Sequence, residues 1–141
     1  MRERGGAIVN VASIAGFLGV FGYTDYAASK FGLIGFSEAL RSELKPHGVV
    51  VSVLCPPDTD TPGFVEENRS KPPETRSLSE GAGVMLPGAV ARALIRGIER
   101  GDALIIPGAA GRFTYLMKRF TPSLVETFVD QVVRRVQKDA T

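Results

Sequence analysis

The chain is poor in the residues that build metal sites and disulfides. Its 141 residues include no tryptophan, one histidine and one cysteine. A lone thiol, Cys55, forms no intramolecular disulfide and supplies no cysteine zinc cluster. His47 stands by itself in "KPHG" and reads as a turn histidine, so no metal site is expected. Charge of one sign is also missing. Lys and Arg number 17 against 15 Asp and Glu, a net charge of +2. No basic run carries interleaved aromatics, so no nucleic-acid partner is expected. No apolar stretch reaches the ~18 residues of a membrane span, and the apolar run after "MRERGG" is too short for a signal peptide. A cytoplasmic protein, in places associated with a membrane, fits these absences.

What is present is an ordinary globular composition, with 44% apolar and 23% charged residues. Three β-branched apolar runs read as strands: "AIVNVA" (7–12), "VVVSVLC" (49–55) and "ALII" (103–106). Near-continuous apolar strands suit a parallel sheet covered on both faces. A helix is expected from Asp25 to Lys45, capped by Thr24 or Asp25 and ended by Pro46 and Gly48. A Pro-rich loop is expected over 56–86 and a second helix over 87–100, with Pro87 or Gly88 in its first turn. The order predicts an α/β fold with right-handed crossovers. The helix over 25–45 is apolar nearly all round, which predicts burial on two sides: one on the sheet, the other on a second copy in a homo-oligomer. Gly32 and Gly35 lower its helix propensity and suggest a close backbone neighbour.

A dinucleotide-binding glycine turn, G-x-G-x-x-G after a strand, is absent, and "GAAGR" at Gly108 lacks both the spacing and the place. The chain therefore reads as the second half of a doubly wound Rossmann sheet over residues 1–110, a fragment cut at an internal methionine, followed by an amphipathic helical extension over 111–141.

The chemistry centres on "YTDYAASKFG". In a helix Tyr26 and Lys30 share a face. An ammonium beside a phenol favours the phenolate, which suits proton exchange with an alcohol or carbonyl. Ser13 follows the end of the first strand, where side chains of a parallel sheet face the ligand crevice. The competing reading is a half-buried helix tyrosine beside a surface lysine.

"NVASIAG", then "YAASK" with its tyrosine thirteen residues after Ser13, then a strand running into "CPPDTDTP", resembles the short-chain dehydrogenase/reductase family. The resemblance implies an oxidoreductase in which Ser13 orients the substrate carbonyl and Tyr26 is the general acid/base. Lys30 would help that tyrosine ionise and bind the nicotinamide ribose. It also implies that Pro56, Thr59 and Thr61 meet the nicotinamide, with Pro57 where the family has glycine. "CPPDTDTPGF" followed by "EENRSKPPET" further resembles the 3-ketodihydrosphingosine reductases of that family, which serve sphingolipid metabolism. That implies NADPH as cofactor and a long-chain keto base as lipid-like substrate.

Apolar stripes in the C-terminal part, Phe113 to Phe120 and Leu124 to Val136, suit packing on the domain or a partner, or peripheral contact with a membrane. Two other functions fit: a reductase of another hydrophobic substrate, such as a steroid or acyl chain, and an inactive fragment acting only in dimerisation. The missing glycine turn predicts that these residues alone lack reductase activity.

Overall fold

The computed structural model describes residues 1, 5–80 and 83–140. Three parallel strands form one sheet in the order β1 (Gly6–Val11), β2 (Val49–Leu54), β3 (Leu104–Ile105). Gly6 pairs with Val49 through to Val11 with Leu54, and Val53 and Leu54 pair with Leu104 and Ile105. The α/β class expected from the apolar runs is the one observed. β2 lies in the middle, and all its residues but Val50 are buried. The core gathers Ala12, Val53, Cys55 and Ile106, with Phe17, Leu33, Ile34 and Tyr115 packed against it.

Helix α1 (Thr24–Leu44) crosses from β1 to β2. It ends as expected, in a short 3-10 turn through Pro46 and then Gly48, whose φ of 65° closes the turn. Its start differs from expectation. Tyr23 holds the cap position with no side-chain bond to the helix. Thr24 is already helical, and Asp25 accepts only from the adjacent Tyr26 N–H. One side of α1 packs on β2 and on the turn Ile14–Gly16. Gly16 is the close approach here: a Cβ on it would stand 3.0 Å from the Lys30 carbonyl oxygen. By contrast, among the described residues nothing beyond the helix's own backbone lies within 4 Å of a Cβ placed on Gly32 or Gly35, so no other part of them makes the close approach expected there. The far side of α1 leaves Phe31 and Phe36 exposed.

The Pro-rich stretch over 56–86 is not the loop expected. It contains α2 (Pro62–Ser70) and α3 (Pro73–Ser79). Both begin with proline in the first turn, where the missing N–H costs nothing. Thr61 caps α2 by accepting from the Phe64 N–H. Helix α4 (Pro87–Arg100) starts at proline as predicted. Helices α5 (Ala109–Phe120) and α6 (Pro122–Asp139) follow β3, and α6 packs on both α5 and α3. Among the described residues no helix is long and apolar enough to cross a membrane.

Candidate active site

The carboxyl ends of β1 and β2 are tied together where the site begins. Ala12 N–H donates to Leu54 O at 2.8 Å and Ile14 N–H to Pro56 O at 3.2 Å. Between them sits Ser13, extended (φ −167°), with its Oγ accepting from the Ala15 N–H. A serine hydroxyl accepting one bond keeps its proton to donate.

Tyr26 stands in the first turn of α1 and Lys30 one turn further. The Lys30 ammonium lies 5.4 Å from the centre of the Tyr26 ring. Its Nζ also donates to Val11 O at 3.1 Å, anchoring the lysine to the strand that leads to Ser13. Tyr26 meets Tyr23 edge to face, with ring centres 5.6 Å apart.

Ser13 and Tyr26 line one cavity of about 800 Å³. Pro56, Pro57, Thr59 and Thr61 line it too, whereas Lys30 lies behind Tyr26 and is not part of the wall. The Thr59 hydroxyl donates to Pro57 O, and the segment is pinned to Met85 by Asp60 N–H to Met85 O and Met85 N–H to Asp58 O, both 2.9 Å. The Thr61 hydroxyl accepts from Phe64 N–H and, among the described residues, donates to nothing. The Pro57 carbonyl, where the family has glycine, is the acceptor of that Thr59 bond. The opposite wall is apolar and comes from α5 and α6, chiefly Met117, Leu124, Val125 and Val129. Leu116 and Phe120 of the same stripes stay exposed outside it.

Sequence reasoning missed a polar wall of this cavity. Tyr23 Oη donates to Glu67 at 2.5 Å across 44 residues of chain. Burial, and then Glu67, raise the Tyr23 hydroxyl well above its ordinary pKa. The Lys71 ammonium, its side chain 3% exposed, bonds Asp58 at 2.9 Å and lies over the Phe64 ring. Thr75, also buried, donates to Phe21 O and draws this segment onto the turn before α1. No local spacing marks these partners, since the fold alone brings them together. Beneath the site Cys55 is fully buried, and burial pushes its thiol up to about 11.

The parallel strands thus carry a crevice at their carboxyl ends, with Ser13 and Tyr26 in its wall and Lys30 beside the Tyr26 ring. The family model for short chain dehydrogenases matches residues 1–72, and the chain belongs to that family. Among curated relatives it is similar to the 3-dehydrosphinganine reductase of Danio rerio, at 50% identity over 103 residues. It is also similar to the 3-ketodihydrosphingosine reductase of Bos taurus, at 52% over 103 residues. Each match covers 72% of this chain and 31% of the relative, so the chain spans under a third of their length. A Burkholderia cenocepacia short chain dehydrogenase in complex with NADP superposes with a TM-score of 0.74 at 23% identity, covering 91% of this chain and 48% of that one. A Sphingobium yanoikuyae enzyme in complex with NADPH gives 0.61 at 27%, covering 84% and 44%.

Proposed function

We propose that this chain carries the proton-transfer and substrate half of an NADP-dependent carbonyl reductase. Its substrate is a long-chain keto base, 3-ketodihydrosphingosine, which becomes dihydrosphingosine. One observation carries the reading: Ser13 and Tyr26 open into the same cavity that α5 and α6 line with apolar side chains. The ketone sits against Ser13 and Tyr26, and the alkyl tail runs along Met117 and Val125.

The residues present suit the nicotinamide end of the cofactor. Thr61 has a hydroxyl proton to give to a carboxamide, and Pro56 and Thr59 flank it. NADPH, when bound, supplies a hydride to the carbonyl carbon. Ser13 donates a hydrogen bond to the carbonyl oxygen and steadies the charge that gathers there. Tyr26 gives its phenolic proton to that oxygen, completing the alcohol. Lys30, held by Val11 O beside the ring, offsets the negative charge left on the phenol oxygen. Within these 141 residues there is no glycine turn for a pyrophosphate. The cofactor's other half must rest on residues outside this set.

The test is NADPH oxidation with a long-chain keto base, in a hybrid that joins the chain to a glycine-turn unit of the family. Turnover that Tyr26→Phe abolishes supports the reading. Turnover of a steroid or acyl ketone in preference to the keto base would transfer it to another hydrophobic substrate. The same reading pairs two copies through α1, supported by the exposed Phe31 and Phe36 on its free side. It also allows the exposed Leu116 and Phe120 to rest on a membrane surface.

A further inference from the structure

The cavity is not uniformly apolar. Three charged side chains line it: Asp58, Glu67 and Lys71. Two carboxylates and one ammonium leave one negative charge. Lys71 is committed to Asp58, at 2.9 Å, and stands 3.9 Å from Glu67. Glu67 is the open member, with its side chain 44% exposed. Tyr23 donates to its Oε1, and among the described residues its Oε2 has no hydrogen-bond or ion-pair partner. The raised pKa of Tyr23 keeps that phenol a donor. Tyr23 in turn meets Tyr26 edge to face, so the carboxylate stands one aromatic ring beyond the reacting phenol.

A neutral ligand filling this cavity would strip water from Glu67 and give nothing back, which is costly for a charge. A ligand with a cation on that side would replace the lost water with a charge-assisted hydrogen bond. Resting on the carbonyl-reductase reading, we infer that Glu67 is a specificity residue that binds an ammonium on the carbon beside the ketone. Tyr23 positions its carboxylate. The preferred substrate class is then the long-chain α-amino ketone with a free amine, and N-acylated or amine-free ketones are disfavoured. The long-chain keto base of the proposed reaction has this chemistry. Glu66, one residue earlier, is paired with Arg69 in solvent and does not line the cavity.

The experiment is calorimetric binding to the 141-residue chain at neutral pH, with three ketones of equal length: the α-amino ketone, its N-acetyl derivative and the amine-free ketone. The amino ketone should bind about tenfold tighter than the other two, the size expected for one hydrogen bond to a charged group. Glu67→Gln should remove that advantage, weakening the amino ketone and, because no carboxylate is then desolvated, letting the amine-free ketone bind at least as tightly as before, and Glu66→Gln should leave the preference intact. A preference that survives Glu67→Gln, or its absence from the unmodified chain, overturns this inference and leaves the reductase reading standing. Failure of all three ketones to bind overturns the lipid-reductase reading and this inference with it. Should Glu67→Gln not fold, Glu67→Asp withdraws the carboxylate by one methylene and should shrink the preference, and an undiminished preference there also overturns the inference.

Discussion

The part of the cavity that holds Ser13 and Tyr26 rests on a sheet, whereas the rest of its wall is built of helices and the loops that join them. Ser13 and Tyr26 are held by backbone bonds between β1 and β2 and by the close approach of Gly16 to α1. The rest of the wall, from α2, α3, α5 and α6, depends on side chains reaching across the chain: Lys71 to Asp58, Thr75 to Phe21 O and, beside Tyr26 itself, Tyr23 to Glu67. A backbone ladder holds atoms in place whatever the side chains are, which suits chemistry that a small displacement would ruin. Side-chain ties can be altered one at a time, which suits a wall that selects substrates.

The contrast can be broken at either end. The largest effect is expected from Tyr26→Phe in the hybrid enzyme. Turnover should fall to background while cofactor titration stays near normal, because in the proposed reaction only the phenol oxygen carries the proton. Near-normal turnover would show that the reacting end lies elsewhere. Ser13→Ala should come next, losing about 2.7–4 kcal/mol of transition-state stabilisation, the effect of one fixed donor at a developing oxyanion. Steady-state kinetics would read this as a drop in kcat with little change in KM.

At the helical end the first expected loss is stability, not rate. Asp58→Ala takes from the buried Lys71 ammonium its one hydrogen-bonded partner and leaves only Glu67 at 3.9 Å, which should cost about 3 kcal/mol in urea unfolding. Replacing both partners, Asp58→Ala with Lys71→Met, should recover part of that loss, because no charge is then stranded. A double variant as unstable as the single one would place the cost in packing. The smallest effect is expected from Met117→Ala, which should raise KM for a long-chain ketone and leave a short one untouched. Equal effects on both would mean that α5 shapes the reacting end as well.

The isolated 141-residue chain sharpens the comparison further. It should bind NADPH only weakly, since it offers the nicotinamide end alone. Micromolar affinity in a fluorescence titration would mean that a second copy or another part of this chain holds the pyrophosphate.

Much of the reacting end could be read in advance because its signals are local. Tyr26 and Lys30 are neighbours through helix periodicity, and Ser13 is placed by the end of an apolar strand. The termination of α1 at Pro46 and Gly48 follows from backbone chemistry within three residues. Helices α2 and α3 were hidden because proline marks both a loop and a helix's first turn. The glycines of α1 were legible in part. Their low helix propensity was legible, but the described residues hold no neighbour close to them.

The two six-residue strands draw the same boundary. "GAIVNV" and "VVVSVL" are similarly apolar, yet β2 is buried and β1 has no fully buried residue. Position in the sheet made that difference, because among the described residues β2 has a strand on either side and β1 on one side. The amino-acid sequence by itself determined the three strands with α1 and α4 between them, the family and the nearness of Ser13, Tyr26 and Lys30, since each depends on residues within a few turns or on motif spacing. Only the tertiary structure decided that Tyr23, Asp58, Glu67 and Lys71 form a charged wall facing that grouping. Those contacts join residues up to 44 positions apart, and nothing in local periodicity specifies which distant side chains the folded chain brings within bonding distance.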